Sequence, residues 1–245
     1  MELKEKLDLI YENQQKVFDA GYNKGISSDG GSEFDLGRLC REIRFNPNIF
    51  DKSEVVLNLD NATSIREIFY ASTRDLINTT VEHITINCKQ QVADMYRMFN
   101  GSNAWSDTTL KRITINIDTS KNGNINNFAQ NCRALEIIDG SPFDFSNCNQ
   151  FNSTFAYCIE LKELRVVENT IHANITFKDS TKLSKTTIES VINGLSNETN
   201  ELTLTLSLQA VNKAFETSEG ANDGSTSAEW TTLVNTKQNW TINLE

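Results

Sequence analysis

Apolar positions in the middle of the chain fall into one phrase that recurs four times, each copy closing on a phenylalanine. Phe69, Phe99, Phe128 and Phe155 stand 30, 29 and 27 residues apart. They end the phrases Ile65-Arg-Glu-Ile-Phe69, Met95-Tyr-Arg-Met-Phe99, Ile125-Asn-Asn-Phe128 and Phe151-Asn-Ser-Thr-Phe155. Apolar residues three or four apart in these phrases predict a short helix in each. A polar stretch follows, then a run headed by Leu or Val that alternates with period two. This alternation, with its β-branched residues, predicts strands at Val55–Leu59, Ile84–Ile86, Ile113–Ile117, Ile137–Ile138 and Leu164–Val167. Self-similarity at this period marks a solenoid, whose units cannot bury their apolar faces alone. The expectation is an α/β solenoid with a parallel strand ladder.

The flanks differ. Over residues 2–20 Leu3, Leu7, Ile10, Gln14 and Val17 recur at steps of four and three between charged positions, which predicts an amphipathic helix with a coiled-coil-like seam. At two to three heptads it is too short to stand alone. It either folds back onto the solenoid or serves assembly and anchoring through Leu3, Leu7, Ile10 and Val17. Residues 21–33 are rich in Gly and Ser and read as a linker. Residues 34–50 predict a short helix (Leu36, Leu39, Cys40, Ile43) ending before Pro47 and closing the first unit.

Past residue 180 the phrase stops. Leu183–Leu195 reads as a helix with Ser184 as its cap, Leu202–Leu206 and Trp240–Leu244 as strands, and Leu208–Phe215 and the stretch around Trp230 as helices. An atypical terminal unit suits a solenoid that must cover its last apolar face. The chain therefore divides into 1–33, an assembly helix and linker; 34–180, the solenoid; and 181–245, a capping unit.

Composition narrows the partners. Of 245 residues 38% are hydrophobic, which fits a ribbon-like core with much surface facing water. The formal charge of −10, without a basic stripe, disfavours nucleic acid and anionic membrane surfaces. The start Met1-Glu-Leu-Lys-Glu-Lys-Leu-Asp8 has no secretory pattern, and no run of about 18 apolar residues predicts a span. Synthesis in a cytoplasm is expected.

Little catalytic chemistry is visible. No phosphate loop occurs. The five cysteines show no Cys-x-x-Cys spacing, so no zinc site or other metal site is expected, and Cys132 and Cys158 are expected as buried structural thiols. The only histidines are His83, at an outward strand position, and His172, in a loop. Neither is expected to be catalytic. Asn222-Asp-Gly224 lacks the spaced ligands of a calcium loop. No catalytic residue, cofactor or enzyme activity is expected.

The phrases Met95–Phe99, Phe128-Ala-Gln-Asn-Cys-Arg-Ala-Leu135 and Phe155-Ala-Tyr-Cys-Ile-Glu-Leu-Lys-Glu-Leu164 resemble BspA-type leucine-rich repeats, whose unit runs Met-x-x-Met-Phe-x-x-Cys-x-x-Leu-x-x-Leu-x-Leu. Cys158, Leu161 and Leu164 match in register, whereas Cys132 is displaced by one residue from Phe128. The stretch from Phe99 to Leu110 is a long insert. This resemblance, over residues 50–180, implies a leucine-rich-repeat solenoid. The layout also resembles tail-associated proteins of phages of Gram-positive bacteria, through Leu3-Lys-Glu-Lys-Leu7, Phe18-Asp-Ala-Gly-Tyr-Asn-Lys-Gly25 and the closing Asn239-Trp-Thr-Ile-Asn243. That second resemblance implies a virion protein released by lysis.

With the strands in that register, one row of polar residues faces outward: Asn58, His83, Thr85, Asn87, Arg112, Thr114, Asn116, Asp139, Glu163 and Arg165. Such a ladder suits recognition of a saccharide or protein through many shared hydrogen bonds; it is equally what a solvated sheet face carries. Three functions remain open. They are a phage tail or baseplate receptor-binding protein for host attachment (a homo-oligomer joined to other tail proteins by its helix and meeting a host surface glycan or protein), a purely structural virion component, and a bacterial cell-surface adhesin.

Overall fold

A computed structural model describes residues 54–58, 64–65, 81–100, 110–198 and 201–245, all within one compact unit, Leu36–Glu245. The expected helix over 2–20, the linker to residue 33, the helix over 34–50 and Phe69 lie outside the described residues.

The parallel strand ladder of a solenoid is present. Strands β1 (Glu54–Asn58), β2 (His83–Gln91), β3 (Arg112–Asp118) and β4 (Ile137–Gly140) form a sheet in chain order, each parallel to the next. The strand runs read from sequence set the register. Val55, Ile84, Ile113 and Ile138 share one rung, and Leu57, Ile86 and Ile115 share another. Ile84, Ile86, Ile113, Ile115 and Ile138 are buried, and the residues between them face outward. Alternation at period two on a ladder with one covered face leaves no other choice, because a one-residue slip would expose the whole apolar set.

The repeat is less even than the phenylalanine spacing predicts. His83 lies 29 residues beyond Glu54 and Arg112 29 beyond His83, but Ile137 only 25 beyond Arg112. The turns keep a step of 30 from Asp94 to Asn124. The difference falls between the turn and the next strand, in the stretch that contains 101–109.

At the three phenylalanine phrases among the described residues, 95–99, 125–128 and 151–155, the expected short helices are instead stacked turns. Met95, Arg97 and Phe99 donate their N–H groups to Asn124, Asn126 and Phe128 carbonyls at 3.0, 3.0 and 2.7 Å. One coil further, Ile125, Asn127, Ala129 and Asn131 donate to Gln150, Asn152, Thr154 and Ala156 at 3.1, 2.9, 2.9 and 2.8 Å. Main-chain groups that a helix would pair within itself are paired between coils. Arg97, Asn127 and Ser153 occupy the same place in successive turns and all have left-handed backbone (φ 51°, 57° and 54°). A left-handed residue in each of these three copies stops an α-helix from propagating.

This ladder also corrects the phenylalanine alignment. Phe99 and Phe155 share register with Ala129, and Phe128 stands one residue early. The thiols show where the slip lies: Cys132 Sγ donates to Phe99 O at 3.2 Å and Cys158 Sγ to Ala129 O at 3.1 Å, the same contact one coil on. The displacement therefore resides in Phe128, not in Cys132. The rings nonetheless form one buried column. Phe128 meets Phe99 and Phe155 edge-on at 5.4 and 6.2 Å, and Phe155 stacks on Phe177 at 5.0 Å.

The expected strand Leu164–Val167 is not formed; only single bridges join Glu163 to Ile137 and Val166 to Phe143. The cause is helix α1 (Lys185–Gly194), which is capped by Ser184 and lies where the next strand would pair. Leu164 and Val166 donate their N–H groups to the hydroxyls of Thr187 (3.2 Å) and Ser190 (2.9 Å) instead of to carbonyls. The helix comes so close that a Cβ on Gly194 would sit 2.7 Å from Val166 Cγ1. Beyond it β5 (Ile175–Phe177), β6 (Leu202–Leu206) and β7 (Trp240–Leu244) form a second parallel sheet in chain order. Helices α2 (Leu208–Ala214) and α3 (Ala228–Val234) lie between β6 and β7.

Candidate functional site

Seven of the outward residues predicted from sequence stand together on β2, β3 and β4. Along one rung Glu54, His83 and Arg112 align; along the next, Thr85, Thr114 and Asp139; along a third, Asn58, Asn87 and Asn116. His83, Thr85, Asn87, Arg112, Thr114, Asn116 and Asp139 belong to the face opposite the buried isoleucines.

Side-chain hydrogen bonds knit this face across the strands. His83 Nε2 lies 2.8 Å from Thr114 Oγ1 and 3.2 Å from Thr85 Oγ1. Thr114 donates to Asp139 Oδ1 at 2.5 Å, and Arg112 makes an ion pair with the other oxygen of that carboxylate. On the far side of the imidazole, Nδ1 lies 3.4 Å from Glu54 Oε1. Asn116 donates its amide to Asn87 Oδ1 at 2.8 Å, and Gln91 does the same to Asp118 at 2.9 Å. Burial pushes the Asp139 carboxyl upward, but the Thr114 and Arg112 hydrogen bonds outweigh it and hold the group below the usual carboxylate range. Asp118 is held low as well, chiefly by its bonds to Ser120 and Gln91.

Glu163 and Arg165 lie one coil beyond β4 and outside any strand; a single bridge to Ile137 puts Glu163 on the rung of His83 and Arg112. Glu163 is exposed, and Arg165 donates to Gly140 O at 2.7 Å. Gly140 closes β4 with a φ of +92°, and a Cβ there would meet Ile115 O at 2.4 Å. The chain can turn away from the sheet at this point because the residue is glycine.

Three of the thiols take no part in the face. Cys132, Cys148 and Cys158 are buried and unpaired by disulfides. Burial pushes the thiols of Cys158 to about 12 and Cys148 to about 11, so neither is a thiolate at neutral pH. His172 Nδ1 lies 3.0 Å from Glu198 Oε1. No cluster of three or more His, Cys, Asp and Glu placed to hold a metal occurs among the described residues.

The second sheet carries a further outward row, absent from the one expected from sequence. Thr203 aligns with Thr241, and Thr176, Thr205 and Asn243 share a rung. The side chains of Thr203, Thr205, Thr241 and Asn243 make no hydrogen bond within the described residues. The signal was present in the sequence, since Leu202-Thr-Leu-Thr-Leu206 and Trp240-Thr-Ile-Asn-Leu244 alternate as cleanly as β2 and β3. Comparison with protein-family models, curated proteins and solved structures yields no match.

Proposed function

We propose that this chain is a non-enzymatic recognition protein, a phage tail or baseplate component that displays a BspA-type leucine-rich-repeat surface for host-cell attachment. In this reading the helix over residues 2–20 joins other tail proteins and multiplies the copies. Residues 181–245 cover the end of the repeats, and the outward rungs meet a host surface glycan or protein. The virion, extracellular after lysis, is where it acts. The observation that supports the reading is the in-register row of Thr, Asn, His, Arg and Asp on β2 to β4, held on a main-chain ladder that leaves little to reorganise on binding. The sequence resemblance to tail-associated proteins supplies the setting.

One observation favours a second reading, a purely structural virion protein: the hydrogen-bonding capacity of that row is largely taken up between its own strands. Mass spectrometry of particles from an induced culture of the source strain tests both. The chain is expected to co-sediment with tail proteins at a few copies per particle, and recovery in the cell-surface fraction alone overturns the virion reading. Binding of the purified full chain to host cells then separates the two. Attachment supports recognition; a particle protein that binds no cell is structural.

A further inference from the structure

Strand β7 is the last of its sheet, with β6 as its one neighbouring strand among the described residues. Glu245 donates its N–H to Leu206 O at 3.0 Å and accepts at its carbonyl from Leu208 N at 2.8 Å. Both main-chain groups of Glu245 thus turn toward β6, and alternation along a parallel strand turns those of Asn243 and Thr241 the same way. The N–H and C=O groups of Trp240, Ile242 and Leu244 therefore point to the opposite edge. Side-chain burial agrees. Leu204 and Leu206 on β6 are fully buried, whereas Ile242 and Leu244, which face the same way, are only half-buried. Thr241 and Asn243 are exposed on the other face. The strand carries no lysine, proline, glycine or bulge, the devices that protect an edge from pairing.

We infer that β7 pairs antiparallel with β7 of a second copy of this chain, about a two-fold axis through Ile242. The strand is self-complementary about that residue. Ile242 meets its own equivalent, Trp240 meets the partner's Leu244, and Thr241 meets the partner's Asn243. Apolar lies against apolar and hydroxyl against amide, and Glu245 falls opposite Asn239, so no like charges meet. Because the Ile242 main-chain groups point outward, this alignment makes it a hydrogen-bonded pair and gives every outward N–H and C=O of the three residues a partner. It also extends the apolar layer over the half-covered Ile242 and Leu244. A two-fold contact of this kind closes, giving a dimer and not a filament. The inference is independent of what the first sheet binds.

Two measurements on the full chain test it. In the pairing, Thr241 and the partner's Asn243 occupy a non-hydrogen-bonded position with Cα atoms about 4.5 Å apart, within disulfide reach. Thr241→Cys/Asn243→Cys is expected to form a covalent dimer on mild oxidation, running at twice the 27.6 kDa chain mass. Thr203→Cys/Thr205→Cys, on the same face one strand inward, is not. By sedimentation, Ile242→Lys is expected to lower the particle mass at least two-fold while other assembly, through the N-terminal helix, persists. Cross-linking no greater than in the β6 control overturns the inference, as does unchanged mass in a folded Ile242→Lys protein. A β7 edge that takes a strand from a different protein gives the same negative result and also overturns it. Should Ile242→Lys fail to fold, the cysteine pairs decide alone.

Discussion

The two sheets share one backbone plan and use their outward side chains in opposite ways. On β2 to β4 the polar row is bonded to itself, from Glu54 through His83 and Thr114 to Asp139 and Arg112. On β6 and β7 Thr203, Thr205, Thr241 and Asn243 stand in equally good register with no side-chain partner among the described residues. Charge explains the difference. Carboxylate, imidazole and guanidinium groups on adjacent rungs form strong, directed bonds and align to meet one another, whereas hydroxyls on neighbouring strands are already content with water. The first face is stiffened by its chemistry. The second is held by its main chain and by one ion pair at its margin, Lys178 to Glu245 at 3.1 Å, and its Thr203, Thr205, Thr241 and Asn243 side chains remain available to solvent or to another surface.

An aromatic contact joins the core of the repeats to the second sheet, and breaking it should have the largest effect. Phe177 on β5 stacks against Phe155 of the repeat column, and both are buried. Phe177→Ala is expected to destabilise the protein by about 3–5 kcal/mol, through the lost ring and the cavity it leaves. Denaturant unfolding followed by both fluorescence and circular dichroism should show a single transition moved to lower midpoint. Two separated transitions would mean that the sheets fold as independent units and that the aromatic column does not couple them.

A smaller effect belongs to the first face. Asp139→Ala leaves Thr114 and Arg112 without their shared acceptor and is expected to cost about 1–3 kcal/mol. Acid does the same by titration. The Asp139 and Asp118 carboxyls are held low in the folded state, so the unfolded chain binds protons more readily below the usual aspartate range. Their contribution is present above about pH 4 and is lost as pH falls through the lowered folded values. The wild-type midpoint should therefore drop as pH falls below about 4, the ordinary aspartate value, and Asp139→Asn should drop less steeply. Parallel pH profiles would remove Asp139 from the account.

Much of this was legible in the chain. Period-two runs such as Ile113-Thr-Ile-Asn-Ile117 located the ladder, and their polar positions located the outward row, because a strand with one buried face permits a single register. The turns were not legible. Met95, Met98 and Phe99 have helical spacing, but stacked turns place apolar residues three and four apart as well, and only the inter-coil hydrogen bonds tell them from a helix. The failed strand at Leu164–Val167 has the same origin: its own residues suit a strand, and what prevents one is Thr187 and Ser190, more than twenty residues on. The slip at Phe128 was hidden because Ala129 beside it is equally buried.

The smallest effect sharpens the contrast most. Thr203→Val/Thr205→Val removes two hydroxyls that bond no described residue and replaces them with methyl groups of nearly equal volume on strand positions that favour valine. The stability change is expected to lie within about 0.5 kcal/mol of zero. Thr85→Val/Thr114→Val is the same chemistry on the first sheet, but there Thr114 bridges His83 and Asp139, and the loss should exceed 1 kcal/mol because both partners are left half-buried without it. Chemical denaturation of the two double variants side by side reads the difference directly. Equal losses would show that the β6 hydroxyls are engaged in solution and that the two faces are alike; a loss confined to Thr85 and Thr114 would show that register aligns polar rungs without binding them to one another.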